Sequence, residues 1–184
     1  MIEESVTIED IAGKLKQNYS RSCQLASILF SLASQFRDAE ISDRILRDIS
    51  NILNGSRSFR QLEARLEPRS EEDYYSIKEE KLRAYLASGG YTIEGRHASP
   101  DRLAEVIETY PLIFLNRPDE EFFRTRLGTD PIIQHVIAAV AIEGSELVFF
   151  EPFAGEIRRR ELSLVEKYWS VIGIVKQEEG YPRE

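Results

Sequence analysis

The sequence is poor in the residues that most often announce a chemistry. It has one cysteine, two histidines, one methionine and one tryptophan in 184 residues. A single cysteine excludes an intrachain disulfide and a cysteine-rich zinc site. Two histidines leave a His-cluster metal site dependent on several carboxylates. No apolar run approaches the roughly 18 residues of a membrane span, and the acidic start MIEESVTIED lacks the basic and apolar regions of a secretory signal. Positive charge is short as well. With 24 Lys+Arg against 32 Asp+Glu the formal net charge is −8, which argues against nucleic-acid binding, because phosphate neutralisation needs a basic face. At 42% hydrophobic and 30% charged residues there is apolar material for a packed core. One domain over 1–184 is expected, in the cytoplasm, with no metal and no organic cofactor.

What is present divides into two subregions. Residues from about 5 to 110 carry helical periodicity, and residues from about 111 to 176 carry strand-like apolar runs. SCQLASILFSLASQF (22–36) predicts a helix, with Leu25, Ile28, Leu29 and Leu32 on one stripe and Ser20 or Ser22 as cap. ISDRILRDISNIL places Ile41, Ile45, Ile49 and Ile52 on one face, with Asn54-Gly55 as the stop. SFRQLEARLE and SEEDYYSIKEEKLRAYLASGG suggest two more helices, the second ended by Gly89-Gly90, and Ser99-Pro100-Asp101 is a helix-start signal. Strands are predicted at Pro111–Leu115, His135–Ile142, Leu147–Phe150 and Ser170–Lys176, with a hairpin through Glu143–Glu146 and a short helix around Leu162–Tyr168. Both faces of these strands read as apolar, so a covered sheet is expected. The fold class is α+β: an N-terminal helical half, then an antiparallel sheet.

Cys23 stands at the start of the first strong helix. First-turn amides there point outward with a partial positive charge, which favours a nucleophilic thiolate. The alternative is a buried core cysteine, a common fate of that residue. A nucleophilic thiolate needs a base that can also protonate a leaving group. His97, in EGRHASPD, reads as a solvated turn histidine. His135 heads the most apolar strand, where a ring pinned by the sheet could still face solvent; a satisfied strand-end histidine is the other option. Glu151, sixteen residues on and followed by Pro152, ends the next strand. It can orient His135 only if both side chains share a face. Period-two alternation then demands an odd-residue turn or a bulge, for which Gly144 is a candidate. Gln17, six residues before Cys23, supplies a side-chain amide that could join the Cys23 backbone N–H around an oxyanion; polar surface is its default explanation.

Gln-x5-Cys at a helix start, a histidine heading a buried strand and an acid-proline pair ending the next strand together resemble the papain-like cysteine peptidases. The likeness is to stand-alone relatives of the double-glycine leader peptidases of bacteriocin export. It runs from about Gln17 to about Ile174 and includes SGGY, the Pro-Leu-Ile-Phe-Leu strand and HVIAAVAI. The resemblance implies Cys23 as nucleophile, His135 as general acid/base, Glu151 as orienting acid and Gln17 as oxyanion donor. It implies a peptide or protein substrate. The chain departs from the pattern in having Gln24 where glycine usually follows the cysteine, and Glu151 where aspartate is usual.

The expected activity is therefore thiol-dependent cleavage of a peptide or amide bond. Two alternatives remain at the level of sequence: acyltransferase or deamidase chemistry on the same residues, and a non-catalytic papain-like docking domain. The aromatic pairs Tyr74-Tyr75 and Phe122-Phe123 are expected to place at least one member each in the core. Arg158-Arg159-Arg160 reads as a solvated loop in preference to an anionic subsite near Glu151.

Overall fold

The computed structural model describes residues 6–18, 22–35, 44–66, 79–97, 103–123 and 134–177. Among these residues five helices come first: α1 (Ile8–Lys14), α2 (Cys23–Gln35), α3 (Arg44–Leu53), α4 (Phe59–Leu66) and α5 (Glu79–Ser88). Then follow β1 (Tyr91–His97), α6 (Leu103–Val106), β2 (Leu112–Asn116), α7 (Glu120–Phe123), β3 (Gln134–Glu143), β4 (Glu146–Glu151), β5 (Glu156–Glu161), α8 (Leu162–Tyr168) and β6 (Trp169–Gln177). The strands make one six-stranded sheet in the order β1-β6-β2-β3-β4-β5. Every neighbouring pair is antiparallel. The α+β class read from the sequence holds, with the helices leading and the sheet following.

Both faces of the sheet are covered, which is why its strands read as unbroken apolar runs. One face packs Leu112, Ala138 and Phe150 against Leu25, Ile28, Leu29 and Phe30 of α2, and Phe30 stacks on Phe150 with ring centroids 4.5 Å apart. The opposite face packs Ile113, Ile137 and Phe149 against Phe122, Val165 and Tyr168. Neighbouring residues such as Phe149 and Phe150 thus serve different cores, as alternation along a strand requires. The side chain of Ser27, one turn into α2, donates to the Val136 carbonyl at 2.9 Å. That bond seats the start of α2 beside the head of β3.

Two strands escaped the sequence reading. β1 lies inside the region read as helical, and it places His97 at a strand end rather than in a turn. Its alternation is that of an edge strand, Tyr91 buried, Thr92 and Glu94 exposed; pairing with β6 over seven residues, not local propensity, makes it a strand. β5 (EIRRRE) was expected to be a solvated loop and is the other edge of the sheet, paired with β4. Only Arg159 fits the solvated reading, pairing with Glu143 at the surface. Arg160 is buried, and it donates from Nε to the Phe122 carbonyl at 2.6 Å and from Nη2 to the Phe123 carbonyl at 3.2 Å. A guanidinium there caps the carbonyl end of α7.

The stop after α5 is as read: Gly89 and Gly90 close the last turn onto the Leu86 and Ala87 carbonyls. A Cβ on Gly89 would sit 2.3 Å from Ile45 Cγ1, so glycine lets α5 end tightly against α3. The signals at Ser99-Pro100-Asp101 and at Tyr74-Tyr75 lie outside the described residues.

Candidate active site

Register decides whether His135 and Glu151 can meet. The hairpin closes Glu143 on Glu146 through a two-residue turn, Gly144-Ser145, and the register slips by one between Ala139 and Ala141. Before the slip Ala138 pairs with Phe150. Continued by one residue, Glu151 stands across from Ile137, which shares a face with His135. Without the slip, Glu151 would stand across from Ala138, and the carboxylate and imidazole would point to opposite faces. The required bulge exists, and the extra residue is Val140 rather than Gly144. Val140 is the exposed large hydrophobic side chain among the described residues.

The outcome is a direct bond. His135 Nε2 lies 2.7 Å from Glu151 Oε1, and both residues are sealed from solvent, at 0% and 1% exposure. Glu151 Oε1 also accepts the Phe153 N–H at 3.1 Å, while Arg158 Nη1 lies 3.9 Å from Oε2. The ring of Phe153 stacks flat on the imidazole, centroids 4.5 Å apart and 4° from parallel. Phe123, held from behind by Arg160, meets the imidazole edge-on at 5.3 Å. Phe122 and Phe123 both pack in the core, and Phe123 also borders the imidazole.

Cys23 opens α2 and is 6% exposed. With Nε2 engaged by Glu151, Nδ1 is the nitrogen left for the thiol; it is buried and does not meet the geometry of a formed hydrogen bond. Cys23 nevertheless acts on the ring. Burial pushes the imidazole's pKa down, but the nearby Cys23 sulfur and the bonded Glu151 carboxylate more than offset it, and the pKa is raised to about 9. A ring so placed carries its proton at neutral pH.

Gln17 is buried, and its backbone N–H donates to the Pro152 carbonyl at 3.0 Å, tying the approach to α2 onto the turn after Glu151. Gly155 makes that junction possible. It sits at φ +65°, its N–H closes on the Glu151 carbonyl at 2.9 Å, and a Cβ there would meet Lys16 Cβ at 2.5 Å. Cys23, His135 and Glu151 are thus coupled, and Gln17 is bonded to the residue that follows Glu151. Among the described residues, the buried side-chain polar atoms lacking a hydrogen bond are Gln17 Oε1, His135 Nδ1 and Glu151 Oε2. Buried unsatisfied atoms each cost about 1–3 kcal/mol, and two of these three belong to the bonded His135–Glu151 pair.

No family model and no curated protein matches this sequence. Among solved structures the chain matches the peptidase domain of Streptococcus ComA, a bi-functional ABC transporter involved in a quorum sensing pathway. The match covers 89% of this chain and 96% of that one, with a TM-score of 0.52 and 12% identity. The chain shares its fold with a peptidase domain. Within that fold the described residues contain no group of three or more His, Cys, Asp or Glu side chains suited to a metal, and no helix long and apolar enough to cross a membrane.

Sequence reading missed Phe153 and Glu63 as neighbours of the site, and it set aside the option that Arg158 lies near Glu151. For Glu63 a signal was present: Phe59, Leu62, Glu63 and Leu66 fall on one helical stripe, and an acid in an apolar stripe must find buried donors.

Proposed function

We propose that this protein is a cysteine peptidase or amidase whose substrate is a peptide, acting in the cytoplasm through Cys23, His135, Glu151 and Gln17. The observation that carries the reading is the buried His135–Glu151 bond at 2.7 Å on a ring that is also coupled to Cys23. The protonated ring favours a thiolate on Cys23. The thiolate attacks the carbonyl carbon, and the oxyanion is held by the Cys23 backbone N–H and the Gln17 side-chain amide. His135 gives its proton to the departing amine as the C–N bond breaks, leaving a thioester. It then takes a proton from water, which attacks the thioester and releases the acid and the Cys23 thiolate. Glu151 fixes the ring's orientation and stabilises its charged form, with Phe153 stacked on the imidazolium.

Turnover of a peptide panel by the wild type and by Cys23→Ala tests this reading. Cleavage lost in the variant supports it; cleavage retained in the variant, or absent in the folded wild type, overturns it. Products formed with added amine separate hydrolysis from acyl transfer, and ammonia release from glutamine peptides marks a deamidase.

A further inference from the structure

Two acids lie in apolar helix stripes, and they are satisfied in different ways. Asp48 on α3 is neutralised in place: Arg65 Nη2 approaches at 3.0 Å and Arg57 Nη1 at 3.5 Å, and the Tyr85 hydroxyl donates at 2.7 Å. It ties α3, α4 and α5 together and has the partners of a structural ion. Glu63 on α4 is 0% exposed, and the donors reaching it come from one place. Its Oε1 accepts the Asn18 backbone N–H at 2.9 Å and the Ser22 hydroxyl at 2.6 Å, and its Oε2 accepts Asn18 Nδ2 at 2.7 Å. Asn18 follows Gln17 and Ser22 precedes Cys23. One carboxylate therefore grips both ends of the segment that joins the two.

We infer that Glu63 is a positioning residue, a clasp that holds Gln17 and the Cys23 N–H at the separation an oxyanion requires. The inference rests on the reading proposed above. Stability alone does not account for the carboxylate, since an apolar side chain on a buried stripe avoids the desolvation cost of an ion. Burial raises its pKa, and the bonds from Ser22 and Asn18 only partly counter that. Electrostatics does not account for it either, because a negative charge beside α2's first turn disfavours a thiolate on Cys23. What the group supplies is geometry: two oxygens taking three donors from two ends of one segment. The sheet-borne pair His135 and Glu151 is anchored independently of it, and so is the seat of α2 through Ser27.

Glu63→Gln keeps the shape, removes the charge and turns an NH2 group toward Asn18 Nδ2. It is expected to lower kcat about tenfold or more with KM changed less than about twofold. Alkylation of Cys23 by iodoacetamide near pH 6, which needs no oxyanion donor, should be unchanged or faster. Asn18→Asp combined with Glu63→Gln restores a donor–acceptor pair at unchanged net charge and should recover most of the loss. Amide exchange at Asn18 should quicken in Glu63→Ala while β3 and β4 keep their protection. If Glu63→Ala does not fold, Glu63→Asp, one methylene short of bridging both ends, carries the exchange measurement.

Glu63 variants that turn over like the wild type overturn the clasp and leave the proposed function standing. Variants that lose melting temperature, alkylation and exchange protection throughout assign Glu63 to general stability and overturn it as well. If the folded wild type cleaves nothing, the proposed function falls, and unchanged exchange at Asn18 then still refutes the clasp.

Discussion

The two halves of the candidate site are built by different means. His135 and Glu151 sit on adjacent strands, where backbone ladders fix their positions and a single bulge sets their facing. Gln17 and Cys23 sit at either end of a short segment before α2, held by side-chain oxygens and by a carbonyl from a distant turn. A ladder resists displacement because neighbouring bonds share the load. A segment gripped by one carboxylate and one carbonyl moves when either is lost. In the mechanism proposed, the sheet half sets the proton chemistry and the loop half sets the nucleophile and the oxyanion. The two should therefore fail differently.

The largest effect separates neither half: Cys23→Ala or His135→Ala should reduce turnover by about 10⁴-fold or more, read as kcat/KM on the best peptide. Within the sheet half, Glu151→Gln should cost about 10²-fold, with the ring losing an anionic partner. Deleting Val140 leaves Ala139 and Ala141 as neighbours across from Phe149 and Val148 and Glu151 still across from Ile137, so the two side chains should keep one face and activity should stay well above that of Glu151→Gln. A loss as deep as that of Glu151→Gln in the deletion variant would refute the register argument.

Phe153→Ala tests the stack on the imidazole. Loss of a cation–π contact of about 0.5–2 kcal/mol should move the basic limb of the alkylation profile to lower pH, with the fold intact by circular dichroism. The smallest effect concerns stability. The pKa of His135 is raised in the folded state, so its contribution is fully present below the unfolded value of about 6.5 and is lost as pH rises through about 9. Urea unfolding from pH 6 to 10 should show that decline. It should flatten in Cys23→Ala, where one of the groups that raise the ring's pKa is gone.

Much of the frame was legible because it rests on local pattern. The 3,4 spacing of Leu25, Ile28, Leu29 and Leu32 marks α2, whose observed start is Cys23 itself. The apolar runs at 135–142 and 147–150 mark β3 and β4, and the need for a bulge followed from parity alone. Its position did not. Val140 lies in a run of apolar residues with no glycine to flag it, and the slip there arises from how two strands settle between two cores. β1 and β5 were hidden for a related reason: edge strands take their pairing from a neighbour, so YTIEGRH and EIRRRE carry only weak periodicity of their own. The arginine run misled because charge patterns report solvation on average, whereas Arg160 is claimed by two carbonyls of α7.

By itself the sequence determined the principal helices, the inner strands, the covered sheet and the few residues able to do thiol chemistry, because composition and period act over short stretches of chain. Tertiary structure alone decided which residues touch: Phe153 on the imidazole, Arg158 near the carboxylate, Glu63 on Asn18 and Ser22. Those contacts join positions up to 45 residues apart. No local rule reaches that far, since the bonds form only once burial has removed water as the competing partner.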